Sequence, residues 1–178
     1  MPGALEEETA LLLADYFQHR LGGAALPPSP TAQTLRRVAG ELESRERPFF
    51  RSACRPLALA EPGEPAALLA RVAAELEAEG GLNWGRVLAL VVFAGSLAEA
   101  LVERGAREET GRLAEVLSTY LAGEKREWLE ANGGWDGFYH FFNKHGSQPT
   151  DQNSTISNAI MAAAGFGLAG LAFLLAVR

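Results

Sequence analysis

Between Arg86 and Glu99 the chain runs VLALVVFAGSLA, twelve residues without a charge. A helix that crosses a bilayer needs about 20 apolar residues. Val87 to Ala98 is therefore too short to span a membrane by itself, and its length suits a central helix wrapped by others. Asn83 is placed to cap this helix, which is predicted to run to about Arg104. Its mouth carries Trp84, Gly85 and Arg86 in succession. An arginine at the entry to the most apolar helix asks for a reason.

The flanking sequence supplies the wrapping. Leu12, Leu13, Tyr16 and Phe17 mark one face of a first helix, and Glu6, Glu7 and Glu8 favour its positive N-terminal end. GGAALPPSP, residues 22 to 30, breaks it. A second helix is predicted to start after Ser29 or Thr31, with Leu35, Val38 and Leu42 at i, i+3 and i+7. RPFFRSACRPLALAEPGEP, from Arg47, reads as irregular and Pro-rich, with room for one or two short turns. Leu69, Val72, Ala73 and Leu76 define the next amphipathic helix, stopped by Gly80 and Gly81. After the central helix, Leu113, Val116, Leu117, Tyr120 and Leu121 recur with helical spacing. Two short helices close the series on either side of Gly133 and Gly134. Strand signals are nearly absent. The expectation is an all-α bundle of about eight helices around a central apolar hairpin.

With 178 residues, the chain can bury a core without staples. Residues 1–145 read as one helical domain, 146–155 as a polar linker and 156–178 as a C-terminal membrane anchor. The anchor rests on Ala159 to Val177, 19 residues without a charge; at 1.5 Å each they reach roughly 28 Å, close to the hydrocarbon thickness of a bilayer. The acids of the N-terminus do not read as a secretory leader. A net charge of −6 argues against nucleic acid as a partner. The lone Cys54 cannot form an internal disulfide. His19, His140 and His145 lack metal-ligand spacing, so no metal is expected. Gly165, Gly167 and Gly170 spell a dinucleotide fingerprint, but only eight residues follow, too few for the βαβ unit that motif needs. No catalytic set and no cofactor are expected, and the chain does not read as an enzyme.

Two stretches stand above this background. NWGR, Asn83 to Arg86, and WLEANGGWDGF, Trp128 to Phe138, resemble the first and second homology motifs of the Bcl-2 family of apoptosis regulators. They occur in that order and begin 45 positions apart, with a helix between them. A candidate tail anchor follows, as it does in that family. The likeness covers residues 5 to 145 by order of elements. The short linkers look most like the Bcl-B subgroup, and Glu6 to Leu21 resembles the weakly specific fourth homology motif.

The resemblance implies a helical bundle whose hydrophobic groove receives an amphipathic death-motif helix from a pro-apoptotic relative. That helix carries a near-invariant Asp. By match of motif, Arg86 would pair with it, Asn83 would hydrogen-bond it, and Gly85 would let the partner backbone approach. Leu69, Val72, Leu76, Leu88, Ala89 and Phe93 are candidate groove residues; each of them also fits plain core. Apart from the resemblance, Arg86 reads as a surface ion-pair partner of Glu77 or Glu79. Trp84, Trp128, Trp135 and Phe138 are expected to pack beneath the groove.

The chain departs from the family in two places. Leu35 to Glu43, LRRVAGELE, resembles the family's own death motif, but Gly40 stands where the Asp belongs. One extra residue precedes Asn83. The expected role is an anti-apoptotic regulator that sequesters death-motif helices, with heterodimers inside the family possible in principle. The membrane would be the cytosolic face of the mitochondrial outer membrane or the endoplasmic reticulum. A pore-forming executioner of the same family and an unrelated tail-anchored adaptor stand as alternatives.

Overall fold

The computed structural model describes residues 3–54, 64–78 and 81–144. Among them are eight α-helices and no strand. They are α1 (Ala4–Arg20), α2 (Pro30–Arg45), α3 (Arg47–Cys54), α4 (Glu64–Ala78), α5 (Trp84–Glu103), α6 (Thr110–Thr119), α7 (Arg126–Ala131) and α8 (Gly134–Lys144). A 3-10 turn, Arg107–Glu109, leads into α6, and a π turn, Tyr120–Glu124, leads out of it. The linker and the anchor expected after residue 145 lie outside the described residues.

The apolar run does what its length demanded. From Trp84 to Ala98 every residue of α5 is buried. The helix is surrounded by α1, α2, α3, α4 and α6. By length and composition its 20 residues would suffice to cross a membrane, but 83% of its most apolar window is buried, which makes it a core helix. The chain returns through α6 as expected, yet only α5 is enclosed. In α6, Leu113 and Leu117 face the core while Arg112 and Glu115 are exposed.

Local chemistry sets the boundaries. Ser29 Oγ accepts from Ala32 N at 3.1 Å, and Pro30 occupies the first helical position, where its missing N–H costs nothing. Asn83 Oδ1 accepts from Arg86 N at 2.8 Å and opens α5. The Gly81 amide donates back to Glu77 O at 2.8 Å and closes α4.

One expectation needs correction. Arg47 to Cys54 is a helix of eight residues, not an irregular stretch. Pro48 stands at its second position, inside the first turn, where an N–H has no partner to lose. Phe50 and Cys54, four apart, bury the same face against the core, at 1% and 4% exposure. The remainder of the Pro-rich stretch lies outside the described residues.

Helix α1 is tied to its neighbours by polar links. Arg36 on α2 donates to both carboxylate oxygens of Asp15, at 2.5 and 2.9 Å. Trp135 Nε1 on α8 donates to Thr9 Oγ1 at 2.7 Å in a buried contact. Arg126 at the start of α7 meets Glu6 at 2.6 Å. Arg20 reaches Glu43 on α2 at 2.8 Å, and Glu99 and Ser96 on α5 at 3.1 and 2.9 Å. It also donates to the Tyr16 hydroxyl at 2.9 Å. Burial works against the Arg20 charge, but Tyr16, Glu43 and Glu99 outweigh it and raise its pKa. Gly95 makes this crossing possible: a Cβ there would stand 2.9 Å from both Arg20 Nη1 and the Tyr16 ring.

Candidate functional site

Arg86 lies in the first turn of α5 and is 7% exposed. Its backbone amide is held by the Asn83 side chain, and its Nη1 donates to the Gly81 carbonyl. The guanidinium is thereby folded back onto the α4–α5 corner. The surface ion pair with Glu77 does not form: Glu77 is held by Lys125 Nζ and lies 3.4 Å from the Tyr120 hydroxyl. Glu79 lies outside the described residues.

Asn83 is exposed and uses its Oδ1 as the helix cap, so one of its two polar atoms is already committed. Gly85, the second residue of α5, is buried. Beneath this turn lies an aromatic floor. The Trp84 ring meets Trp128, Phe138 and Trp135 at centroid distances of 4.8, 5.6 and 6.0 Å.

The glycines of WLEANGGWDGF are explained by the corner they build. Gly133 and Gly134 adopt φ of +87° and +61°, which side chains rarely allow. Gly137 packs against that corner so closely that a Cβ would come within 1.8 Å of the Asn132 carbonyl oxygen. The corner turns α7 into α8 and sets Trp135 and Phe138 under Trp84. Asp136 in the first turn of α8 complements the helix dipole. Between α1 and α8, burial and the neighbouring Asp136 charge raise the pKa of Glu8.

The six apolar candidates do not form an open wall. Leu69, Val72 and Leu76 on α4, and Leu88, Ala89 and Phe93 on α5, are all 0–1% exposed. In this conformation they are core. A partner helix can reach them only if α4 and the α2–α3 side part. Two open clefts lie elsewhere. One of about 310 Å³ sits between α4 and α6, lined by Ala70, Ala73 and Val116 among others. The other, of about 300 Å³, sits at the far end of α5, beside Arg20, Cys54 and Glu99. Neither includes Arg86.

Residues 35–135 match the family described as apoptosis regulator proteins, Bcl-2 family. The anti-apoptotic protein NR13 of Gallus gallus is 74% identical over 178 residues, the whole of both chains. The chain belongs to the Bcl-2 family. Bcl-2-like protein 10 of Homo sapiens is 37% identical over 169 residues, covering 80% of this chain and 78% of that one. The crystal structure of the zebra-fish pro-survival protein NRZ in complex with Bad BH3 is similar with a TM-score of 0.74. Its identity is 42%, and the match covers 78% of this chain and 94% of that one.

Several contacts of this Bcl-2 family chain had no signal in the motifs. The Tyr120 hydroxyl lies 3.3 Å from the Ala73 carbonyl oxygen and 3.4 Å from Glu77 Oε2, and Lys125 also grips Glu77. Together they tie the C-terminal half of α4 to the π turn. Burial and the Glu77 carboxylate push the Tyr120 pKa up. Helical spacing marked Tyr120 only as apolar. The Arg20 crossing was similarly silent, though a glycine inside an apolar helix, Gly95, is the kind of residue that signals close approach.

Proposed function

We propose that this chain is an anti-apoptotic regulator that binds and sequesters the death-motif helices of pro-apoptotic relatives, in a groove walled by α2, α4 and α5. The observation that carries the reading is the buried Arg86 at the mouth of α5, inside NWGR and next to the apolar candidates of α4 and α5. Buried arginines occur where they meet a planar anion, and an Asp on an incoming helix supplies one. The Gly81 carbonyl occupies only one of the five guanidinium N–H groups. The cap leaves the Asn83 amide nitrogen to serve as a second donor. Apolar residues of the partner would replace the contacts that Leu69, Val72, Leu76, Leu88, Ala89 and Phe93 now make with one another. That exchange swaps one apolar neighbour for another, so the opening costs little beyond the ordering of the incoming helix.

Gly40 favours a receiver over an executioner. An executioner must offer its own death-motif helix to another groove. Here the Asp position carries no side chain, and a glycine inside a helix costs about 1 kcal/mol relative to Ala. Within the bundle, α2 is held by tertiary contacts, so the glycine is tolerated. Its position faces solvent, and nothing lies within 4 Å of where a Cβ would be.

In this reading Ala159 to Val177 anchors the protein to the cytosolic face of the mitochondrial outer membrane or the endoplasmic reticulum. Alkaline carbonate extraction tests the anchor: the full chain stays with the membrane, and a chain ending at residue 154 is released. Binding of a Bad BH3 peptide to the full chain in mild detergent tests the groove. Saturable binding, together with protection of liposomes from an activated executioner, supports the proposal. Permeabilisation of the liposomes by this chain would put the executioner reading in its place.

A further inference from the structure

Helix α2 presents two polar edges with opposite fates. On one edge Arg36 and Glu43 are engaged with α1, through Asp15 and Arg20. On the other edge Thr34 and Arg37 hold Asn143 of α8, at 3.0 and 3.2 Å. Glu41 belongs to this second edge, one helical turn beyond Arg37. Its Oε1 lies 4.0 Å from Arg37 Nη1, the outer limit of an ion pair, while Arg37 is already committed to Asn143. Its Oε2 is buried and accepts no hydrogen bond.

A buried carboxylate oxygen without a donor is costly, and native proteins rarely keep one without a use. The neighbour in sequence, Leu42, is fully buried in the core along the α2 wall. We propose that Glu41 is a specificity-determining residue of the groove: it takes a basic side chain from the bound helix. This inference rests on the groove reading above. A cation is the fitting ligand because a half-dry carboxylate gains most from a charge-assisted donor. It also gives the α2 wall an acidic reader beside the basic one at Arg86. A bound helix would then be read at two points, its Asp by Arg86 and a basic residue by Glu41. Helices of equal apolar quality would be ranked by the charge they bring to that edge.

The test is a pairwise scan. In a Bad BH3 peptide, each position outside the apolar anchors and the Asp is replaced in turn by Lys and by norleucine, its uncharged counterpart. Affinities are measured against the full-length wild type and Glu41→Gln. The expected result is one position, or two a turn apart, where Lys binds the wild type about threefold to tenfold more tightly than norleucine. Glu41→Gln abolishes that preference, while the parent peptide binds both proteins alike. The melting temperature of Glu41→Gln is expected to equal or exceed the wild-type value, because the variant removes an unsatisfied charge. If no position shows a Lys preference that depends on Glu41 beyond about twofold, the scatter expected of independent sites, the inference is overturned. Arg86→Ala, run beside it, separates the two readings. Loss of peptide binding in Arg86→Ala with no Glu41-dependent preference removes only the role of Glu41. Unchanged binding in both variants removes the groove itself.

Discussion

The two sides of α5 are held in different ways. On the α1 side, the bundle is closed by oriented polar links that reach α2, α5, α7 and α8. On the α3–α4 side, α3 is held by the buried Phe50 and Cys54, and α4 by its apolar face plus one polar tie at Tyr120 and Lys125. Apolar contacts have no direction and can be remade with a new neighbour. A buried arginine with four partners cannot shift without losing several of them. The α1 side is therefore built to stay shut. The α3–α4 side is built to exchange its contacts for those of an incoming helix.

The most severe way to break this contrast is Arg20→Ala. It strands Glu43 and removes the crossing of α1, α2 and α5. The expected loss is about 3 kcal/mol, at the lower end for a broken buried pair because Glu99 is partly exposed. Urea denaturation followed by circular dichroism measures it. A loss below about 1 kcal/mol would mean that the polar side is ordinary surface chemistry.

Alkaline pH probes both sides at once. Burial pushes Tyr16 on α1 from 10.0 to about 12, and Cys54 on α3 from 9.0 to about 12. Both groups bind their protons more tightly when folded. Their contribution is fully present below the unfolded values and is lost as pH rises toward 12. Stability is expected to fall above pH 9, by up to about 1.4 kcal/mol per pH unit for each group ionised only in the unfolded chain. Because Cys54 is the only cysteine, thiol labelling reports α3 alone. Labelling is expected to accelerate before the helical signal falls. Coincident changes would mean that α3 opens only with the whole bundle.

Gly95→Ala inserts a Cβ against Arg20 and Tyr16 at 2.9 Å. It should cost about 1–3 kcal/mol as overpacking, seen as a lower melting temperature. Tyr120→Phe has the smallest effect. It removes one hydroxyl while Lys125 still holds Glu77, for about 0.5–1.5 kcal/mol. Its signature is local: faster hydrogen exchange in α4, with α1 unchanged. Faster exchange in α1 instead would reverse the assignment of rigid and yielding sides.

Much of this layout was legible in the sequence, because apolar periodicity and glycine punctuation are local signals. Asn83 and Ser29 announced their caps, and Gly133 with Gly134 announced the α7–α8 corner. The error at Arg47 to Cys54 came from weighing its prolines and missing that Pro48 sits where a helix tolerates one. At the candidate site, the motif identified Arg86, but not the Gly81 carbonyl that holds it, since that contact depends on how the α4–α5 corner closes. Nor did sequence separate groove from core for Leu69, Val72, Leu76, Leu88, Ala89 and Phe93. An apolar residue that meets a partner in one state and its neighbours in another carries the same pattern in both. The Arg20 crossing joins residues far apart in the chain, and no spacing rule reaches that far.

The central claim is that Arg86 receives the Asp of a death-motif helix. A double-mutant cycle tests it directly, pairing Arg86→Ala in the full chain with Asp→Ala in a Bad BH3 peptide. Each single change is expected to cost roughly 2–5 kcal/mol of binding, and the double change little more than either one. Helical circular dichroism of Arg86→Ala should match the wild type. Additive losses, or equal affinity of variant and wild type, would contradict the pairing.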